Sequence, residues 1–347
     1  MRSARVTQEM IDLKIHLLLR HLTRVSNGSN LPLINTPINV TGITLLQKEK
    51  EELMRVADLY EKSEKHPVIS FEFSRPKNET AAANLDKALD SLSRLSPDYV
   101  SVTFGAGGST REGSYELIDK LKNERRLPVV AYIAGIGLSP EEVLEALEKF
   151  KSIGVETVFV IRGDAPNWDE NYKPHPDAMP HASDLLKFIK SRHDFCLGAA
   201  GYPETHMEAV SPEKDLDYLK LKVDEGAEYI VAQYFYDNQF FYDFLDKVQA
   251  KGINVPVVPG VMPIYTVKMT ENLAKICGTT IIEKVRNRLD SLPPEDKEAI
   301  LQYGIDLATE QCKDLLKHGV PGLHFYTMNR AKSLMSILEK LKADGPM

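Results

Sequence analysis

The chain has 347 residues, 43% hydrophobic and 27% charged, an ordinary globular balance with enough material for one or two domains. Its formal charge of −7 speaks against a general nucleic-acid binder, which needs a basic footprint, although a local group of Arg and Lys could still hold an anionic small molecule. No run approaches the roughly 18 unbroken apolar residues of a membrane span, so no membrane or nucleic-acid partner is expected. The three cysteines, Cys196, Cys277 and Cys312, lie far apart without a CxxC pair, which points to a reduced, cytoplasmic protein with neither a disulfide framework nor a structural zinc.

At the N-terminus, Arg2 and Arg5 precede no clean apolar run, because Glu9, Asp12 and Lys14 interrupt it; a signal peptide is not expected. Helical patterns near 7–22 and 45–65 flank a linker-like stretch, 26–42, rich in Asn, Gly, Pro and Thr. Residues 1–66 therefore read as an N-terminal helical extension ahead of a catalytic unit, 67–347. Packing is its default role; a dimer surface or a partner's docking site are the alternatives.

Eight apolar runs follow: VISFEF (68–73), YVSVTF (99–104), PVVAYIA (128–134), TVFVIRG (157–163), FCLGAAG (195–201), YIVAQYF (229–235), PVVPGVM (256–262) and GLHFYT (322–327). Several are apolar at nearly every residue, as suits parallel strands buried on both faces. Helical patterns separate them, among them 81–95, 140–153, 182–191 and 214–225. Ser139 before Pro140, Glu141 and Glu142 is a helix start, and Gly154, Gly226 and Gly252 sit where helices should end. The long interval 265–318 predicts a short helix over 267–277, an Arg/Asp-rich loop and a helix over 294–316; a last helix, 331–341, follows the eighth strand.

Strand and helix alternating eight times predict an α/β fold, a closed (β/α)₈ TIM barrel. The alternative, an open doubly wound sheet, is disfavoured because no GxGxxG loop follows the first strand. The GAGGST loop at 105–110 could touch a phosphate or simply be a glycine-rich turn.

Barrel enzymes keep their chemistry at the C-terminal ends of the strands, and polar residues recur there. Glu72, Thr103, the Arg162-Gly163-Asp164 segment, Tyr202, Glu204, Gln233, His324 and Arg330 all fall at or near such ends. Glu72, between Phe71 and Phe73, is expected to point into the lumen, where a carboxyl in an apolar setting can hold its proton and act as a general acid. A structural salt bridge is the alternative for Glu72, and an ion pair along one strand face for Arg162 and Asp164. The segment 206–214 could offer polar contacts and helix-end amides to a phosphate. Among the histidines, His175, His181, His193 and His206 lack metal-ligand spacing, so no catalytic metal is expected.

The segments FEFSRPK (71–77), VSVTFGAGGSTR (100–111), VIRGDAP (160–166), AAGYPETHMEA (199–209), KVDEGAEYIVAQYFYD (222–237), VPVVPGVMPI (255–264) and PGLHFYTMNR (321–330) together resemble the methylenetetrahydrofolate reductases, in order, across all eight strands. The resemblance implies reduction of 5,10-methylenetetrahydrofolate to 5-methyltetrahydrofolate with FAD as cofactor, in one-carbon metabolism. It implies Glu72 as general acid and Asp164 as a residue that binds the pterin beside the flavin. Gln233 and Arg330 match folate-binding positions. Thr103, Tyr132, Arg162, Gly163 and Asp164 fall on flavin-binding positions, as do His181, Ala182, Tyr202, His206, Glu208, Asp215 and Lys222.

Ser74 and Arg75 depart from the family's FEFFPP, Tyr132 stands where many members have histidine, and Tyr218 and Leu221 replace polar flavin contacts. Met269 and Leu273 lack the aromatic face that stacks on a nicotinamide in some members, with Tyr265 as a substitute. The implied donor is NADH, NADPH or a reduced protein, and a homo-oligomer is expected. The competing readings are a catalytically silent folate- or flavin-binding barrel serving as an assembly subunit, and a pterin-dependent methyltransferase.

Overall fold

The computed structural model describes residues 55–62, 66–105, 111–164 and 172–343. The pattern at 7–22, the linker at 26–42 and most of the GAGGST loop lie outside the described residues.

Helix α1 (Val56–Glu61) precedes β1 (Val68–Phe73), and the strands β2 (Tyr99–Val102), β3 (Val129–Ala134), β4 (Thr157–Ile161), β5 (Cys196–Gly201) and β6 (Tyr229–Ala232) follow in turn. Between them run α2 (Glu79–Leu92), α3 (Arg111–Asp119), α4 (Pro140–Ile153), α5 (Ala182–Lys190) and α6 (Pro212–Asp224). The start of α4 is a full capping box: Ser139 Oγ accepts from Glu142 N and Glu142 returns a bond to Ser139 N, an arrangement that stabilises a helix by about 1 kcal/mol. Gly154, Gly226 and Gly252 have φ of 91°, 120° and 72°, the left-handed geometry that ends a helix at little cost only for glycine.

After α7 (Asn238–Ala250) the expected seventh strand is broken in two, β7 (Val257–Val258) and β8 (Gly260–Val261). Proline has no N–H to give a ladder, so Pro259 divides the pairing between neighbours. β7 pairs with β6, β8 pairs with β9 (Gly322–Tyr326), and Pro259 O accepts from His324 N at 3.1 Å. With β9 also paired to β1, the parallel order β7-β6-β5-β4-β3-β2-β1-β9-β8 completes the ring through this one segment, a TIM barrel.

Residues paired across the ladders share a face, and the alternate positions 70, 99, 132, 159, 198, 229 and 324 line the lumen. The ring contacts agree: Tyr60, rising from α1, lies 6.3 Å from Tyr99 on β2 and 5.7 Å from Tyr229 on β6, and its hydroxyl is 2.8 Å from that of Tyr99. Tyr60 is 4% exposed and fills the lower end of the barrel. Gly198 is required by the same packing, because a Cβ there would overlap the rings of Tyr229 and Phe159.

The interval between β8 and β9 departs from expectation. Its Arg/Asp-rich stretch is a helix, α9 (Glu283–Asp290), between α8 (Val267–Cys277) and α10 (Lys297–Lys317). Val285 and Leu289, four apart on α9, bury against Tyr234, Met262, Ile264 and Ile300 in a small second core. Their apolar spacing inside a charged stretch was the available signal. Helix α11 (Lys332–Ala343) closes the described chain. No described helix is long and apolar enough to cross a membrane.

Candidate active site

Glu72, next to last in β1, lies on the same strand face as Ser70 and so faces the lumen, above it. Phe71 and Phe73 face the other way, into the layer under the helices, where Phe71 packs on Phe325 at 6.1 Å. The apolar flanks read from sequence therefore do not surround the carboxyl. Its lumen neighbours carry hydroxyls: Tyr326, its ladder partner, and Tyr132, both close enough to feel its charge. Tyr132 is 7% exposed and stacked on Phe159 at 4.6 Å. Burial first, then the charge of Glu72, pushes both phenols well above the ordinary tyrosine range, so they remain proton donors at any working pH.

A second group gathers where β4 and β5 end. The strand stops at Ile161, and Gly163 turns the chain with φ 80°; a Cβ there would sit 2.9 Å from that of Ala134. Arg162 and Asp164 thus do not continue a strand face. Arg162 pairs with Glu208 of the next loop and, at 3.7 Å, with Asp164, whose side chain is 90% exposed. The hydrogen bond from Arg162 holds the Glu208 carboxyl below its usual range. Tyr202 meets His206 edge-on at 4.6 Å, and His206 N donates to Asp215 at 3.0 Å. Burial raises the Tyr202 phenol to about 12.

Ser211 caps α6 by accepting from Lys214 N, so that helix starts at Pro212, two residues before the predicted pattern. From its last turn Lys222 reaches back to Ala200 O at 2.6 Å, with its ammonium 5.7 Å from the Tyr202 ring. Desolvation lowers its pKa to about 8, opposed by Asp215.

Gln233 follows β6, its N bonded to Gly201 O at 2.8 Å and its Oε1 accepting from Tyr234 N. Arg330 follows β9 with its guanidinium 5.1 Å above the Tyr265 ring. Three sequence-predicted residues stand apart from these groups in their described contacts. Thr103 bonds to Phe73 O and Ser114 Oγ, His181 caps its own helix through Asp184, and Ala182 begins that helix.

His324 is also misplaced by the sequence reading. It lies 1% exposed in mid-lumen, bonded through Nδ1 to Ser70 Oγ at 2.8 Å and stacked near Tyr99, well below the mouth. The residue of β9 at the mouth is Tyr326, one period-two step further on. Its hydroxyl donates to Ala232 O at 3.1 Å, and it is the ladder partner of Glu72. Cys277, at the end of α8, is the half-buried cysteine, its thiol pushed up first by burial and less by the charges of Asp164 and Glu72; Cys196 and Cys312 are fully buried. Nothing local in the sequence marked Cys277, because α8 belongs to the insertion. Among the described residues no group of three His, Cys, Asp or Glu could hold a metal ion.

A methylenetetrahydrofolate reductase from Pectobacterium carotovorum subsp. carotovorum is 33% identical over 273 residues, 79% of this chain and 89% of that protein. The Arabidopsis thaliana protein named methylenetetrahydrofolate reductase (NADH) 1 is 36% identical over 284 residues, again 79% of this chain but 48% of the relative. The chain spans about half the length of the plant and yeast relatives it matches. A solved Clostridium thermocellum protein that binds two copies of 5-methyl-5,6,7,8-tetrahydrofolic acid shares the fold, with a TM-score of 0.55 at 17% identity over 83% of this chain and 100% of that one. Residues 55–342 match the family profile described as methylenetetrahydrofolate reductase, and the chain belongs to that family.

Proposed function

We propose that the chain reduces 5,10-methylenetetrahydrofolate to 5-methyltetrahydrofolate, using FAD. The observation that carries this reading is the gathering, at the strand ends of one barrel, of Glu72 with its ladder partner Tyr326, the Arg162–Asp164 ion pair, and Lys222 beside the Tyr202 ring.

The residues present suit a flavin dinucleotide. Lys222 offers a desolvated ammonium and Arg162 a guanidinium for a diphosphate. Tyr218 and Leu221, exposed on α6 beside Lys222, add apolar surface. Bound FAD would supply hydride to the methylene carbon. The chain's own residues do the rest. Glu72 gives a proton to the ring nitrogen that leaves, Tyr132 orients that carboxyl, Gln233 and Asp164 hold the pterin, and Arg330 holds a carboxylate of the folate tail.

The donor half is the more altered. Leu273 packs into the second core, and Tyr265 is 4% exposed with its hydroxyl bonded to Thr327 O, so it offers no free ring for a nicotinamide. NADH, named for the plant relatives, competes with NADPH and a reduced protein as donor.

The test uses FAD-loaded protein reduced by dithionite without oxygen. Methylenetetrahydrofolate should reoxidise the flavin and yield one methyltetrahydrofolate per flavin. A loaded, reduced protein that methylenetetrahydrofolate leaves bleached would overturn the assignment in favour of a binding barrel.

A further inference from the structure

The loop after β9 is stitched to the loop after β1 by side-chain hydrogen bonds that the proposed reaction does not use. Asn329 Oδ1 accepts from Ser74 N at 3.0 Å, and Asn329 Nδ2 donates to Ser74 O at 2.8 Å and to Ser74 Oγ at 3.3 Å. One amide therefore satisfies both backbone polar groups of a residue 255 positions away. Below it, Thr327 Oγ1 donates to Glu72 O at 2.6 Å and accepts from Asn329 N at 3.0 Å. On the far side Tyr265 donates to Thr327 O at 2.9 Å, and Arg330 lies over that same ring.

The backbone is held in an unusual state to do this. Met328 and Asn329 have φ of 49° and 56°, two consecutive non-glycine residues in the left-handed region, where asparagine is tolerated and most residues are not. Such geometry persists only where surrounding bonds over-determine it. Here it brings the Asn329 amide square to Ser74 and sends Arg330 over Tyr265.

We propose that Asn329 is a positioning residue that sets the span between the Glu72 carboxyl and the Arg330 guanidinium. Glu72 lies two residues before the clasped Ser74, and Arg330 immediately follows Asn329, so the Asn329 amide ties the two ends of the substrate site together. The chemistry needs this particular side chain. Aspartate keeps the acceptor for Ser74 N but faces Ser74 O with a second acceptor, and glycine keeps the left-handed backbone but loses all three side-chain bonds. The inference rests on the proposed roles of Glu72 and Arg330.

The experiment compares FAD-loaded wild type, Asn329→Gly, Asn329→Asp and Arg330→Ala, each checked for flavin content and melting temperature. The folate half-reaction is followed from dithionite-reduced enzyme over a range of methylenetetrahydrofolate. For Asn329→Gly the expected result is a folate half-saturation raised about tenfold or more and a slower limiting rate, with flavin content retained; Asn329→Asp should show the same pattern. A purely structural role predicts lower melting temperature and flavin content with half-saturation unchanged in the loaded fraction. If Arg330→Ala weakens folate binding while loaded Asn329→Gly and Asn329→Asp bind as wild type, the clasp does not position the site. If Arg330→Ala is also silent, it is the folate role of Arg330 that falls. Should Asn329→Gly fail to fold, Asn329→Asp decides by the same criteria.

Discussion

Lys222 gives a prediction in which pH separates folding from cofactor binding. Desolvation carries its pKa from 10.5 down to about 8. At ~1.4 kcal/mol per pH unit, that difference corresponds to about 3 kcal/mol. Below pH 8 the apo protein bears the whole cost of a charged, desolvated ammonium. Between about 8 and 10.5 the native lysine is neutral while the unfolded one still carries its proton, so the unfolded state binds more protons and stability rises with pH. Above 10.5 the cost is gone. In Lys222→Met the group is absent, so the stability of the wild-type apo protein relative to the variant should climb by about 3 kcal/mol from pH 7.5 to 10.5, on the order of 5–10 °C in Tm. A bound diphosphate reverses the preference, because it favours the charged lysine. FAD affinity of the wild type should therefore fall by up to about tenfold per pH unit above 8, and that slope should be missing in Lys222→Met. Thermal melts of apo protein and flavin titrations across the same buffers measure both. Parallel pH dependence in wild type and variant, in either measurement, would refute the reasoning.

Glu72→Gln should leave flavin reduction by the donor intact and slow the folate half-reaction by roughly 10²–10⁴, read by stopped flow; near-normal folate speed in a folded, loaded variant passes the acid's role elsewhere. Reduction by NADH should be slow or need high concentrations, because Met269 and Leu273 offer no aromatic face and Tyr265 is buried; rapid bleaching that saturates in the micromolar range argues against this. Tyr60→Ala should cost about 3–5 kcal/mol in urea unfolding by emptying the barrel's lower end, whereas Tyr60→Phe, which keeps the ring, should cost about 1 kcal/mol. Gly198→Ala should cost about 1–3 kcal/mol by driving a methyl group into Tyr229 and Phe159, and a neutral effect on the same unfolding curve would show that the lumen can yield there.

Much of the frame is legible locally. Runs such as VVAYIA are buried at every residue because a parallel strand in a barrel meets side chains on one face and helices on the other, and this leaves a continuous apolar signature. Ser139, Ser211 and the three helix-ending glycines act through bonds to residues a few positions away, so short windows of sequence contain both partners. The helix α9 is hard to read from sequence because its Arg and Asp residues mask two apolar positions that find their core against Tyr234, far away in the chain.

The sequence by itself thus determined the alternation of strands and helices, their caps, and the set of polar residues at strand ends. Depth and company were decided by the tertiary structure. Periodicity says which face of β9 looks inward, but only closure of the ring puts His324 in mid-lumen and Tyr326 at the mouth. Phe71 and Phe73 flank Glu72 in sequence yet turn away from it, because successive side chains of a strand point to opposite faces; its real neighbours come from β3 and β9. The break at Pro259 and the clasp between Asn329 and Ser74 join residues whose separation along the chain hides them from any local pattern. They exist because eight staggered strands must close on one another, and closure is a property of the whole chain.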